Sequence, residues 1–241
     1  MKIKTLIIGL GDIGLKYDYD LPKKIIMTHA RAINSHPSFE LVGAVDNSKE
    51  RRKEFTEKYD KPAFCKLEHA VNFVDPSLMI IATPSSSHAD IFNEIIHHAT
   101  PTAILCEKPL DNDISNAFHI VRKSSSLGIR LFVNYMRRSD PGSLKVRDMI
   151  HSGSMGNYFK GIVWYSKGVF NNGSHFLNLL EYWFGECKSL KLLKKGPKYA
   201  NGDQDFDFIV NFNWAEFHFI SSPEKTNSYT SIEAFSTDGR L

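Results

Sequence analysis

Near its N-terminus the chain carries three glycines in a G-x-G-x-x-G pattern, directly behind the apolar run Leu6-Ile7-Ile8. An apolar run that ends in such glycines predicts a buried strand followed by a tight turn, whose backbone N–H groups can approach a pyrophosphate. The pattern alone is weak, because three glycines can also close an ordinary strand-to-helix turn. The residues of the turn, and the first candidates for cofactor binding, are Gly9, Gly11, Asp12, Ile13 and Gly14.

A second apolar run ends at Asp46, where a carboxylate would accept hydrogen bonds from the ribose of an adenine dinucleotide. Asp46 lies 32 residues after Gly14, whereas the acidic residue usually follows the glycines by about 20 residues. We attribute the difference to an inserted ordered loop at residues 15–27, after which Thr28 caps a helix. The alternative is a generic crossover in which Asp46 only caps the next helix.

The remaining pattern predicts two domains. Apolar runs at residues 78–83 and 103–106 are typical of strands covered on both faces, and helical patterns separate them, which predicts an α/β fold with a doubly wound parallel Rossmann sheet at residues 1–136. Farther along, phenylalanines alternate with other residues around 206–219. This alternation predicts an α+β domain at residues 137–241 with an open, mostly antiparallel sheet.

Composition excludes several classes of protein. The 241 residues are 42% apolar and carry a formal charge of +3, too small and too evenly spread to indicate nucleic acid or an anionic membrane surface as partner. Basic clusters at residues 49–53 and 188–198 are expected to be solvated faces. Three cysteines without metal-site spacing fit a reducing compartment, and no run is long enough to span a bilayer. We expect a soluble, cytoplasmic protein without a metal site.

Two polar motifs follow predicted strands of the first domain. Thr83 and Pro84, with His88 a turn later, could meet a cofactor or merely begin the next helix. The second motif is Glu107-Lys108-Pro109, in which burial would lower the pKa of Lys108 and suit it to proton transfer. The alternative for Lys108 is a surface lysine held by a neighbouring carboxylate.

Further candidates lie after residue 134. Arg137 and Arg138 could clamp an anion or a sugar, or form an interdomain salt bridge. Asn171 and His175 lie one turn apart at the start of a predicted helix. A histidine there suits acid–base chemistry, although a lone histidine is more often structural.

In order and spacing, these motifs resemble those of the glucose–fructose oxidoreductase, inositol dehydrogenase and rhizopine catabolism (Gfo/Idh/MocA) family over essentially the whole chain. The matching residues are Gly9, Gly11, Gly14, Asp46, Thr83, Pro84, His88, Glu107, Lys108, Pro109, Asn134, Tyr135, Arg137, Arg138, Gly173 and His175.

The resemblance implies an N-terminal NAD(P)-binding domain, with Glu107 and Lys108 at the cofactor, and a C-terminal sheet that carries substrate and often forms oligomers. A homodimer or homotetramer through that sheet is therefore expected. The family's E-K-P lysine approaches the reacting hydroxyl and the nicotinamide, which implies this role for Lys108. The histidine of the family's D-x-G-x-H motif corresponds to His175.

The chain departs from the family pattern in three ways. Asn171 and Asn178 stand where the family has aspartates, and an amide cannot accept a proton as a carboxylate does. The general base is then His175 or Lys108, or the redox chemistry is weakened. The second departure is the insertion at residues 15–27. The third is the chain end, which resembles a mid-domain strand and turn, so a shortened C-terminal domain is expected.

The leading functional prediction is an NAD(P)-dependent oxidoreductase that moves hydride between the nicotinamide and a hydroxyl or carbonyl of a sugar, polyol or nucleotide sugar. Asp46 favours NAD, while nearby Lys49, Arg51 and Arg52 leave NADP possible. Lys108 and His175 are the catalytic candidates. The substrate candidates are Tyr135, Arg137, Arg138, Asn171 and Asn178. The alternatives are an NAD(P)-binding sensor without turnover, and an enzyme that uses NAD transiently for epimerisation or elimination.

Overall fold

The computed structural model of the chain describes residues 1–200, 202–222 and 229–241. Its internal contacts divide it into two units, Met1–Asn134 and Tyr135–Leu241. The division falls two residues before the domain boundary expected from the sequence, which stays a prediction. Each unit is described by itself below.

The first unit is built on six parallel strands. They are β1 (Ile3–Ile8), β2 (Phe39–Val45), β3 (Ala63–Phe64), β4 (Leu78–Ile81), β5 (Ala103–Cys106) and β6 (Arg130–Val133). Their order in the sheet is β3-β2-β1-β4-β5-β6, so the strand order reverses between β1 and β4. This is the doubly wound arrangement that the alternation of apolar runs predicts, and that prediction is confirmed.

Helices connect these strands, and the central strands of the sheet are buried on both faces. The helices are α1 (His29–Ser35), α2 (Lys49–Tyr59), α3 (Leu67–Val74), α4 (His88–His98) and α5 (Ile114–Ser126). In β1, Leu6 and Ile8 belong to one hydrophobic cluster while Ile7 belongs to the other. Because successive side chains of a strand point to opposite faces, each face has its own packed layer.

The starts of two helices differ in their capping. The Asp113 side chain caps α5 and accepts the N–H groups of Ser115 and Asn116. At α4 there is no side-chain cap, because Ser87 turns its hydroxyl towards the carbonyl of Pro84.

The insertion at residues 15–27 is an ordered loop fixed by a buried ion pair. The Asp18 side chain is fully buried and accepts hydrogen bonds from the backbone N–H groups of Met27 (2.7 Å) and Thr28 (2.9 Å). The guanidinium of Arg31 lies 3.4 Å from the same carboxylate. Arg31 also donates to backbone carbonyls of the loop, at Asp18, Leu21, Pro22 and Ile25.

A second set of contacts fastens the loop to α2. The ammonium of Lys58 lies 3.8 Å from the centre of the Tyr19 ring, a cation–π contact, and Lys16 pairs with Glu54. The loop is therefore fastened to α1 through Asp18 and to α2 through Lys16 and Tyr19.

The second unit contains a five-stranded mixed sheet. Its strands are β7 (Phe159–Tyr165), β8 (Ser189–Lys198), β9 (Gln204–Asn211), β10 (Ala215–Ser221) and β11 (Ser231–Phe235). The order is β11-β7-β10-β9-β8, in which only the β7–β10 pair is parallel. The predicted open and mostly antiparallel sheet is confirmed.

Two helices, α6 (Pro141–His151) and α7 (Ser174–Phe184), belong to this unit, and its core is largely aromatic. Phe208 and Phe219 stack with ring centres 4.5 Å apart, and Phe184 of α7 packs against Phe217. The basic cluster at residues 188–198 proves to be the edge strand β8, nearly all of it exposed. Over the described ranges, no helix has the length and apolar composition needed to cross a membrane.

We predict that Asp18→Ala lowers the free energy of unfolding by about 3–5 kcal/mol, because it leaves the buried guanidinium of Arg31 without its counter-charge. Urea denaturation measures the change. The control is Asp20→Ala in the same loop, where the exposed side chain should contribute less than about 0.5 kcal/mol. Equal effects of the two substitutions would contradict the assigned role of Asp18.

Candidate functional site

A cleft of about 850 Å³ opens in the first unit, beyond the carboxyl ends of β1, β2 and β4. It lies where the strand order reverses, which is the usual ligand site of an open α/β sheet. Seven of the residues predicted to bind a cofactor line it, namely Gly9, Gly11, Asp12, Ile13, Asp46, Thr83 and Pro84. The lining also includes Arg51, one of the basic residues named for a 2′-phosphate, and Tyr17 of the insertion. Asn47, Cys65 and Lys66 line it as well, without having been expected from the sequence.

The three glycines of the turn serve different purposes. Gly9 has φ +100°, and a Cβ on it would lie 2.6 Å from the carbonyl oxygen of Ala82. A Cβ on Gly14 would overlap the carbonyl oxygen of Gly9. A Cβ on Gly11, in contrast, would meet only the guanidinium of Arg51, at 4.0 Å. The protein's own packing therefore requires Gly9 and Gly14, whereas Gly11 leaves room on the side of the cleft.

The turn continues as a single π-helical turn, Asp12–Lys16, in which the N–H groups of Leu15 and Lys16 both donate to the carbonyl of Gly11. A longer helix does not follow directly, because the insertion delays α1 until His29. Gly11, Asp12 and Ile13 remain at the cleft, as a pyrophosphate site requires.

Asp46 lies at the end of β2 with its carboxylate fixed. One oxygen accepts the N–H of Leu10 and the other the N–H of Ser48, both at 2.7 Å. Each oxygen can still accept a ribose hydroxyl, because an ionised carboxylate offers about four lone-pair positions. The side-chain cap of α2 is Ser48, so the alternative role of Asp46 as that cap is not observed.

The guanidinium of Arg51 lies 3.8 Å from Asp46 and half-exposed in the cleft, whereas Arg52 donates to the backbone carbonyls of Asp46 and Asn47. The glycine turn and the fixed Asp46 together fit a dinucleotide. Room for the pyrophosphate beside Gly11 and an acceptor for the ribose lie in one cleft.

Not all the predicted cofactor residues line this cleft. His88 is fully buried, and its ring nitrogens contact the carbonyl oxygens of Thr83 (2.9 Å), Pro109 (3.1 Å) and Leu110 (3.2 Å). His88 therefore joins the segment after β4 to the segment after β5. Gly14 is buried behind the turn, and Glu107 and Lys108 lie at the end of β5.

The carboxylate of Glu107 is the centre of a polar cluster beside Lys108. Its Oε1 accepts hydrogen bonds from His29 Nε2 and Asn134 Nδ2, each at 2.7 Å. The carboxylate also accepts the backbone N–H of Lys108. Burial raises the pKa of Glu107 most, but the hydrogen bonds from His29, Asn134 and the Lys108 backbone, together with the electrostatic attraction of His29, outweigh burial and hold the pKa below its ordinary value.

In the second unit, two of the predicted substrate residues lie at the start of α7, beside the predicted catalytic residue His175. The rings of Tyr135 and His175 pack edge to face, 5.7 Å apart, and the guanidinium of Arg137 lies 4.6 Å from the centre of the Phe176 ring. Burial raises the pKa of Tyr135 and lowers that of Arg137. The start of α7 thus places His175 against Tyr135, although the two residues are 40 positions apart in the sequence.

Arg138 and Asn178 form a fixed pair. Arg138 Nε donates to the side-chain oxygen of Asn178 at 2.6 Å, and its Nη2 donates to the backbone oxygen at 3.1 Å. The guanidinium also lies against the Tyr182 ring. In this unit Arg138 therefore holds α7. The amide of Asn178, at a position where the resemblance implies an aspartate, is bound by this arginine.

Two buried carboxylates that the sequence analysis did not single out support the loop before α7. Asp203 accepts the N–H groups of Phe170 (3.1 Å) and Asn171 (2.9 Å), while Asp205 accepts the N–H of Gly168 (2.9 Å). The sequence signal that could have identified them is the Asp-x-Asp pair at the start of β9, a strand in which alternate residues are buried. They fix the backbone that leads to His175.

A family model described as the oxidoreductase family with NAD-binding Rossmann fold (GFO_IDH_MocA) matches residues 3–135, more than half of the chain. The chain belongs to this family. The family, the Rossmann fold and NAD as its cofactor, all predicted from the motifs, are thereby confirmed.

Relatives of the chain include inositol dehydrogenases. The inositol 2-dehydrogenase 1 of Mycolicibacterium vanbaalenii is 34% identical over 84 residues, which are 34% of this chain and 24% of that protein. The inositol 2-dehydrogenase of Mycolicibacterium gilvum is 28% identical over 151 residues, 56% of this chain and 43% of that protein. The matched part of the chain thus spans less than half the length of these relatives.

Solved structures share the fold of this Gfo/Idh/MocA chain. The myo-inositol dehydrogenase from Corynebacterium glutamicum superposes with a TM-score of 0.78 at 18% identity, covering 100% of this chain and 74% of that one. Identity at this level shows the fold alone.

We predict that Gly11→Ala and Gly14→Ala have opposite effects. Gly11→Ala should keep the thermal stability of the chain and weaken NADH binding at least about tenfold, because the methyl group enters space that the protein itself does not use. Gly14→Ala should lower stability, since its methyl group collides with the backbone of Gly9. Thermal unfolding and titration of NADH fluorescence measure both. Unchanged NADH affinity in Gly11→Ala would contradict the assigned pyrophosphate position.

We predict that Glu107→Gln lowers the free energy of unfolding by about 1.5–3 kcal/mol at neutral pH, because it removes charged hydrogen bonds to His29 and Asn134. The folded-state pKa of Glu107 is depressed, so this stabilisation is present above pH 4.5 and disappears as the pH falls through the folded-state pKa. Urea denaturation across this range measures the difference, with exposed Glu40→Gln as control. A difference that does not depend on pH would contradict the ionised cluster.

Proposed function

We propose that the chain is an NAD-dependent oxidoreductase that acts on a CH–OH group of a sugar or polyol. The observation that carries this proposal is the cleft at the switch point of the Rossmann sheet, with Gly11 and Asp46 placed for a dinucleotide. On the same edge of that sheet, β5 ends at the polar cluster of Glu107 and Lys108. The proposed cofactor site and Lys108, the candidate for proton transfer, therefore both belong to the first unit.

The substrate class is supported by the relatives. Proteins named inositol 2-dehydrogenase match this chain, so a cyclitol is the first candidate, followed by other polyols, sugars and nucleotide sugars. Tyr135, Arg137 and Asn171 are proposed to contact the substrate hydroxyls, together with Arg138 and Asn178, which form a fixed pair.

The proposed chemistry divides between the cofactor and the side chains. When bound, the nicotinamide accepts or returns the hydride. Loss of hydride from carbon requires the hydroxyl to lose its proton, so a base within hydrogen-bond reach is needed. We assign that role to Lys108, with His175 orienting the hydroxyl or sharing the proton.

NAD is the preferred cofactor in this proposal, because the ribose acceptor Asp46 would repel a 2′-phosphate. Arg51, half-exposed beside Asp46, leaves weaker use of NADP possible. Titration with NADH and NADPH compares the two directly.

The predicted homodimer or homotetramer through the C-terminal sheet stays a proposal. It is supported by the edge strand β8, where Leu190, Leu192 and Leu193 are exposed. An exposed edge strand leaves backbone N–H and C=O groups unpaired, so it is a place where another chain can pair, although the lysines that alternate with these leucines oppose such pairing.

A second candidate function is NAD binding without turnover. It is favoured by the amides Asn171 and Asn178 at positions where the family has aspartates, and by the engagement of the Asn178 side chain with Arg138. The test incubates the chain with NAD⁺ and a panel of cyclitols, sugars, polyols and nucleotide sugars. Formation of NADH supports the oxidoreductase, tight NADH binding with no product supports the sensor, and conversion of substrate without net NADH supports epimerisation or elimination.

We predict that Lys108→Ala lowers kcat by about 10²–10⁴-fold, the usual contribution of a general base, with the dissociation constant of NADH changed less than about threefold. Exposed Lys123→Ala serves as control and should leave both values unchanged. Steady-state kinetics on whichever substrate of the panel is oxidised give the comparison. Full turnover in Lys108→Ala would rule out Lys108 as the base.

A further inference from the structure

One buried side chain on α1 has no role in the function described above. His29 is the first residue of that helix and 9% exposed, and its Nε2 lies 2.7 Å from Glu107 Oε1. The two residues are 78 positions apart in the sequence. The contact therefore joins the helix after the glycine turn to the strand end that carries Lys108.

The hydrogen bonds of the Glu107 carboxylate link His29 to Lys108, the residue that follows Glu107. A buried carboxylate is costly unless it is hydrogen-bonded, and His29 supplies one of the bonds that keep this carboxylate ionised. The same carboxylate accepts the backbone N–H of Lys108. An ionised and fixed Glu107 thereby fixes the backbone from which the Lys108 side chain projects.

The insertion determines where His29 lies. Asp18 binds the N–H groups of Met27 and Thr28 and the hydroxyl of Thr28, the residues directly before His29. The cap of α1 is Thr28 itself. The hydrogen bonds of buried Asp18 thus fix the last residues of the insertion, and with them the position at which α1 begins at His29.

We infer that His29 is a positioning residue for Lys108, acting through the carboxylate of Glu107. The expected effect on kcat rests on the proposed function, whereas the expected effect on the Lys108 backbone does not depend on it. His29 is not itself a catalytic residue here, because its contact is to Glu107. Loss of its hydrogen bond should raise the pKa of Glu107 and loosen the Lys108 peptide.

The test compares His29→Phe, which removes the hydrogen-bond donor, with His29→Gln, which keeps an N–H donor. His36→Gln, an exposed histidine just after α1, is the matched control. In the chain without cofactor, hydrogen exchange measured by NMR should show the Lys108 amide exchanging up to about tenfold faster in His29→Phe, since one hydrogen bond contributes about 0.5–1.5 kcal/mol. His29→Gln and His36→Gln should stay within about threefold of the unchanged chain.

Kinetics supply the second readout. His29→Phe should lower kcat by about tenfold to a hundredfold with KM and the NADH dissociation constant changed little, as expected when a reacting group is misplaced. The acidic limb of its pH–kcat/KM profile should move to higher pH, because the pKa of Glu107 rises. His29→Gln should restore most of the activity.

Unchanged Lys108 amide exchange together with an unchanged kcat and pH profile in His29→Phe would overturn the inference. If His29→Phe does not fold, His29→Gln decides: Lys108 amide exchange as fast, and activity as low, as in a Glu107→Ala variant would overturn the inference, and near-normal values would support it. Failure of the proposed function is distinguished by Lys108→Ala, since full turnover in that variant contradicts the role of Lys108 whatever His29 does.

Discussion

The backbone of Gly9 packs directly against the carbonyl group of Ala82, where the neighbouring parallel strands β1 and β4 end. This close approach requires a residue without a Cβ and with positive φ, and the turn that follows is compressed further because Gly14 packs on the carbonyl of Gly9. The consequence is a cleft at the switch point of the sheet whose floor is backbone. Gly11 then lies beside open space, which is where a pyrophosphate can approach.

Buried carboxylates repeatedly fix the segments around the proposed sites. Asp18 closes the insertion, Glu107 holds the Lys108 peptide, and Asp203 and Asp205 hold the loop before α7. The partners of Asp203 and Asp205 in the loop before α7 are backbone N–H groups, Asp18 binds both backbone N–H groups and side chains, and Glu107 binds the side chains of His29 and Asn134. Loops otherwise tend to be mobile, and bonds of this kind keep polar groups at fixed positions without a large apolar core beneath them.

The buried strands of both units could be predicted from the sequence, because apolar runs and alternation report burial directly. The long-range polar contacts could not. Asp18 lies in a loop without periodicity, 13 residues before Arg31 of α1, and His29 and Glu107 lie 78 residues apart, so no local pattern links either pair. The different requirements at Gly9 and Gly11 are invisible as well, since they depend on what each missing Cβ would meet. The sequence does not predict β8 as a strand, because this exposed, lysine-rich edge strand has little of the apolar pattern that marks buried strands.

The most direct test of the account is an NMR titration of the isotope-labelled chain with NAD⁺, following the backbone amide of every assigned residue. The account predicts saturable shifts that are largest at Gly11, Asp12 and Ile13, with a second group around Asp46, and small shifts at the buried Gly14. No saturable shifts, or shifts concentrated away from the ends of β1 and β2, would contradict the claim that this cleft holds the dinucleotide.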